Sequence, residues 1–120
     1  MNFVITREDM EVKVNRVLRY SGDLYNFDDV MKAIGTGDMQ SFTEGDTWIV
    51  TQVIVFPRRK VLRVMLVVGY LTDAKKSLVQ LEEFAKSVGA TRIEATGRDG
   101  WWQFAEPGWK RTGSAYAKDL

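Results

Sequence analysis

The chain has 120 residues, of which 45% are apolar and 28% charged, with a formal net charge of +1. That length suits one domain, residues 1–120, with a single packed core, and the charge balance gives no general pull toward nucleic acid or a membrane surface. Cysteine and histidine are both absent, which excludes disulfides, thiolate catalysis and the commonest general base and metal ligand, so no metal site is expected.

Met1 to Glu8 lacks the apolar run of a signal peptide, and no later stretch is long enough to span a bilayer, so a cytoplasmic protein is expected. Thr6 and Asp9 mark a helix start, a capping hydroxyl followed by an acid near the positive end. Met10, Val14, Val17 and Leu18 then recur at helical spacing, which predicts an amphipathic helix over 7–20. Ser21-Gly22-Asp23 breaks it. Asn26 caps a second helix with Phe27, Val30, Met31 and Ile34 on one face, and Gly35-Thr36-Gly37 ends it.

The period then changes. Met39 to Thr43 reads as a short strand, Glu44-Gly45-Asp46 as a turn, and Trp48 to Phe56 as a strand rich in β-branched and aromatic residues. After a turn at Pro57-Arg58-Arg59-Lys60, the run from Val61 to Gly69 is almost continuously apolar, as in a central strand covered on both faces. An antiparallel meander joins the three.

Thr72 or Asp73 opens a helix with Leu78, Leu81, Ala85 and Val88 on its buried face, and Gly89 supplies a left-handed stop. Arg92 to Thr96 is expected as a strand parallel to Val61–Gly69 through a right-handed crossover. Trp101 to Phe104 suggests one or two helical turns, and Trp109–Arg111 with Ala115–Lys118 a closing hairpin around Thr112-Gly113.

This order, together with Gly89-Ala90-Thr91-Arg92-Ile93-Glu94 entering a strand and Pro107-Gly108-Trp109-Lys110-Arg111 stepping into the next, resembles GNAT-type acyltransferases. The resemblance covers Phe27 to Leu120 and is strongest for short phage and prophage proteins, through Pro57 to Val64 and Gly97-Arg98-Asp99-Gly100-Trp101. It implies an α/β (α+β) fold, a mixed and mostly antiparallel sheet flanked by helices in the order α-α-β-β-β-α-β-α-β-β.

By position in that family's fold, an acetyl-CoA cofactor would lie between Val61–Gly69 and Arg92–Thr96. Its pantetheine arm would pair with the backbone near Val67, Val68 and Gly69, and its pyrophosphate would sit on the amides around Thr72, Asp73 and Ala74. The family's paired-glycine phosphate loop is missing from Gly69-Tyr70-Leu71-Thr72-Asp73-Ala74, and Asp73 brings a negative charge. The family's proton-donating tyrosine falls on Phe104 here, which leaves Tyr70 and Tyr116 as candidate acids and Glu94 as a candidate base.

Two functions follow from the resemblance. The first is a catalytically degenerate phage or prophage protein, in the host cytoplasm or the virion, that needs no cofactor and binds a protein partner such as a phage structural protein. Trp101, Trp102, Arg58 and Arg59 are the candidate partner surface: adjacent tryptophans cannot both face inward, and the arginines crown a hairpin tip. The second is an active N-acetyltransferase that moves acetyl from acetyl-CoA to an amine.

Overall fold

The computed structural model describes residues 7–19, 22–96, 108–113 and 116–120. Helix α1, Arg7–Arg19, ends where Ser21-Gly22-Asp23 was expected to break it; its presumptive cap Thr6 lies outside the described residues. Val14 and Leu18 are buried and Met10 and Val17 partly so, the face that the spacing predicted.

Helix α2, Phe27–Thr36, is set by its ends. Asn26 Oδ1 accepts the Asp29 N–H and Asp29 Oδ2 accepts the Asn26 N–H, both at 2.9 Å, closing a reciprocal capping box. Gly37, at φ 87°, takes the left-handed turn that a side chain would resist, and its N–H returns to the Ile34 carbonyl. Phe27 and Val30 point into the core, whereas Met31, at the flank of the predicted face, is exposed. Replacing Asn26 with alanine removes the acceptor for an otherwise orphaned amide. A loss of about 1 kcal/mol is expected, measured from the urea midpoint at unchanged slope.

Three antiparallel strands follow: β1, Gln40–Glu44; β2, Thr47–Val55; and β3, Lys60–Val68. Helices α3, Leu71–Lys76, and α4, Leu78–Ser87, carry the chain to β4, Arg92–Ala95, which pairs with β3 in parallel. The sheet order is β1-β2-β3-β4. The single helix expected here is two, joined at buried Ser77, whose hydroxyl donates to the Ala74 carbonyl. Gly89 provides the left-handed stop at φ 81°.

Strand alternation divides the apolar residues between two layers. Trp48, Val50, Leu66 and Val68 meet Val14, Leu18, Phe27 and Val30 of α1 and α2 on one face. Ile49, Leu62, Val53, Val64, Val67 and Ile93 meet Leu78, Leu81, Phe84 and Ala85 of α4 on the other. The sheet is thus covered on both faces, the burial that the apolar run of β3 implied. Phe42 and Phe84 close the second layer edge to face at 5.4 Å.

The carboxyl-terminal expectations fare differently. Trp101–Phe104 lies outside the described residues. The closing hairpin is corrected: the described residues 108–113 and 116–120 form no strand. Trp109 is half-buried, and Lys110, Arg111, Thr112 and Gly113 are exposed.

Candidate functional site

The β3–β4 pair is short. Val61, Leu62, Arg63 and Val64 stand opposite Arg92, Ile93, Glu94 and Ala95, and the pairing stops there. Strand β3 runs on through Met65, Leu66, Val67 and Val68 with β2 on one edge and, among the described residues, no strand on the other. The pairing with β4 ends where the β2–β3 ladder is irregular: Thr51 pairs with Val64 but Val50 pairs with Leu66, so Met65 is one residue too many. Such a bulge bends its strand and increases its twist. Among the described residues, the second half of β3 has no strand partner on that edge.

The predicted cofactor residues are contiguous along this edge and the turn beyond it. Val67 packs toward α4 and Val68 is buried toward α1 and α2. Gly69, at φ 137°, presses on β2: a Cβ there would lie 2.4 Å from Thr47 Oγ1 and 2.8 Å from Thr47 Cα. Tyr70 caps α3 by its backbone alone, Thr72 is exposed and Ala74 half-buried. Asp73, the residue expected to repel phosphates, accepts a hydrogen bond from Thr47 Oγ1 at 2.8 Å and leans over Gly45 of the β1–β2 turn. It lies on the β2 side of β3, away from β4.

The proton-transfer candidates do not gather at this edge. Glu94 sits opposite Arg63 in the paired half of the strands; Arg63 Nε donates to its Oε1 at 2.6 Å, with a second guanidinium contact, and Arg92 Nε lies 3.4 Å from its Oε2. Both carboxylate oxygens are engaged, which makes Glu94 a strut between β3 and β4. Tyr70 is 64% exposed and Tyr116 94%, so neither ring fills the opening. Phe104 lies outside the described residues.

Of the candidate partner surface, Trp101 and Trp102 also lie outside them. Arg58 is exposed, while Arg59 donates to the hydroxyl and carbonyl of Thr91 and Lys60 to the Val88 carbonyl. Half of the basic hairpin tip therefore ties β3 to the α4–β4 connection. Among the described residues, no three acidic side chains come close enough to hold a metal ion, and no helix is long and apolar enough to cross a membrane.

Sequence reasoning missed two features. A polar cleft of about 340 Å³ lies beside the α1–α2 loop, lined by Asn15, Arg19, Asp23, Tyr25, Asn26 and Asp29. Much of its polarity is already spent on capping, with Asn15 Oδ1 accepting the Phe27 N–H. The other is Thr47, which reads as an ordinary strand residue and proves to organise the β3–α3 turn.

A protein from Thermus thermophilus superposes with a TM-score of 0.60 at 13% identity, over 100% of this chain and 97% of its own. A GNAT family acetyltransferase from Staphylococcus aureus gives 0.54 at 17% identity, over 97% and 95%. A probable acetyltransferase gives 0.55 at 10%, over 92% and 91%. The chain has a GNAT-like fold. No protein-family model matches the chain, and no curated protein matches it in sequence. The GNAT-like fold is thus carried by element order and packing, at identities that establish architecture alone.

Proposed function

We propose that this GNAT-like chain binds an acyl-coenzyme A thioester in the opening between β3 and β4 and transfers the acyl group to an amine. The observation that carries this reading is the end of the β3–β4 pairing at Val64 and Ala95, beside the Met65 bulge. An extended, amide-bearing chain can add to such an edge as a further strand, because alternate residues of β3 present N–H and C=O groups there. Val67, Val68 and the turn through Gly69 to Ala74 would hold it. Asp73 does not oppose the fit, since its carboxylate is tied to Thr47.

The coenzyme supplies an activated acyl group. The protein's part is to align it, so that a neutral amine attacks the thioester carbonyl, the C–N bond forms and the C–S bond breaks. The proton lost by the amine goes with the thiol. A thiol with a pKa of about 8.5 is largely protonated near neutral pH, so its departure is helped by a proton donor. A missing general acid costs about 10²–10⁴ in rate, so a slow enzyme is expected.

A second reading is favoured by Phe104 and the missing glycine pair: a phage-type protein that keeps the fold without the chemistry and binds a protein partner. Thermal unfolding with acetyl-CoA separates the two. Ligand at 100 times its dissociation constant adds about 2.7 kcal/mol and raises the melting temperature by about 8–10 °C for a chain of this length. No shift at millimolar acetyl-CoA would overturn the acyl-CoA reading and leave the second.

A further inference from the structure

The hairpin tip between β2 and β3 carries a charge that the net value of +1 conceals. From Thr51 to Val68 the sequence holds Arg58, Arg59, Lys60 and Arg63 and no acid. The tip meets the α4–β4 connection, Val88 to Thr91, which is also free of acids. Arg59 donates to the Thr91 hydroxyl at 3.1 Å and to its carbonyl at 2.9 Å, and Lys60 Nζ donates to the Val88 carbonyl at 2.8 Å. These acceptors are neutral, so they hold two cations in place without cancelling their charge. Arg58 is exposed at the tip itself, and Lys86 in the last turn of α4. Among the described residues, none of these four cations makes an ion pair, whereas Arg63 and Arg92 share Glu94.

The same tip exposes apolar surface. Val55 is 74% and Phe56 43% exposed, with Pro57 exposed beside them. Its shape is fixed. The Phe56 N–H donates to the Arg59 carbonyl at 3.0 Å across the loop Pro57-Arg58, and the proline ring locks one of that loop's φ angles. Neighbouring side chains on a strand point to opposite faces, so Val55 and Phe56 stand on opposite sides of the hairpin. A flat partner covers only one of them. A fluid interface that takes the hairpin end-on surrounds both, while the cations behind the apex meet its headgroups. A nucleic-acid backbone would use the cations but leave the apolar apex in water.

We propose that the β2–β3 tip docks this chain on an anionic phospholipid surface, with Val55, Phe56 and Pro57 entering the interface and Arg58, Arg59, Lys60 and Lys86 facing the lipid phosphates. The tip lies at the opposite end of β3 from Gly69 to Ala74, so the proposal stands apart from the acyl-CoA reading.

The test is co-sedimentation of the full chain with vesicles of phosphatidylcholine, either alone or with about 30 mol % phosphatidylserine. The wild type should sediment with the anionic vesicles at low salt, lose most of that binding at about 0.5 M salt, and ignore the neutral vesicles. Arg58→Glu should weaken binding by roughly tenfold or more, and Arg58→Lys should leave it unchanged, because charge is what that position supplies. Phe56→Ser should weaken it by roughly tenfold through lost insertion. Val79→Ser removes an exposed side chain at the far end of α4 and should bind as the wild type does. All three positions are exposed, so the variants should fold as the wild type does.

A wild type that ignores anionic vesicles overturns the proposal, as does equal binding to neutral ones or equal binding by Phe56→Ser. A duplex oligonucleotide serves as the second polyanion. If the chain binds it more tightly than the vesicles, and Arg58→Glu but not Phe56→Ser abolishes that binding, the tip is a nucleic-acid surface and the proposal fails.

Discussion

Replacing Gly69 with alanine is expected to destabilise the protein by about 4 kcal/mol and to lower its melting temperature by about 10–15 °C. Two costs combine. Gly69 has φ 137°, a conformation that side chains rarely adopt, and its absent Cβ is replaced by a neighbour: Thr47 Oγ1 at 2.4 Å and Thr47 Cα at 2.8 Å from where that atom would be. A flexible side chain could yield, but the Cα belongs to a buried strand of the central sheet. Relief would have to separate β2 from the end of β3, and with it the Tyr70 N–H from its acceptor. The same substitution at Gly35 should act in the opposite direction. Gly35 lies within α2 with nothing within 4 Å of its would-be Cβ, so alanine there should stabilise by about 0.5–1 kcal/mol. Thermal or urea unfolding of the two variants side by side checks both signs. Equal small effects would mean that Gly69 is not pressed against Thr47.

The contrast between these glycines shows what the sequence could and could not reveal. Gly37 and Gly89 were legible as helix stops because each follows a helical period, and a local rule fixes both the residue and its conformation. Asn26 was legible for the same reason, three residues ahead of Asp29. The two faces of the sheet were legible in the alternation of β2 and in the apolar run of β3. Gly69 reads from sequence as a backbone partner for pantetheine at the end of β3, since nothing nearby in sequence announces Thr47, which stands 22 positions earlier and meets it only through the β2–β3 register. Asp73 was read as a charge beside phosphates for want of the same contact. Glu94 likewise seemed free until the parallel pairing of β3 and β4 set it opposite Arg63. The closing hairpin differs in kind: Thr112-Gly113 is a good turn, but among the described residues 108–113 and 116–120 no strand flanks it.

The architecture around the candidate site was legible in the order of elements, whereas the side-chain contacts there were not. The site's place follows from topology. A parallel neighbour reached by a crossover pairs with the first half of β3, up to the bulge. The roles depend on contacts between residues far apart in the chain, which hydrophobic periodicity does not encode.

Deletion of Met65 should therefore separate fold from function. Met65 is the residue by which β3 exceeds its partner, because Thr51 pairs with Val64 and Val50 with Leu66. In a regular strand, removing one residue sends every later side chain to the wrong face. Here it does not. Leu62 and Val64 belong to the α4 layer, Leu66 and Val68 to the α1–α2 layer, and Val67 again to the α4 layer. With Met65 gone, Val64 and Leu66 become sequential and the alternation is perfect, so both cores keep their residues. The stability cost is the half-buried methionine side chain, about 1–2 kcal/mol, partly offset by a regular ladder. What the deletion abolishes is the bend. A straight β3 re-aims Val67, Val68 and Gly69 beyond the end of β4, and acetyl-CoA affinity should fall by roughly a hundredfold or more as the edge that would receive it is displaced. Met65→Ala supplies the control: it loses the side chain at a cost of about 1–2 kcal/mol but keeps the extra backbone residue, so it should bind as the wild type does. A folded deletion variant that binds acetyl-CoA normally would place the ligand elsewhere than on the bulged half of β3.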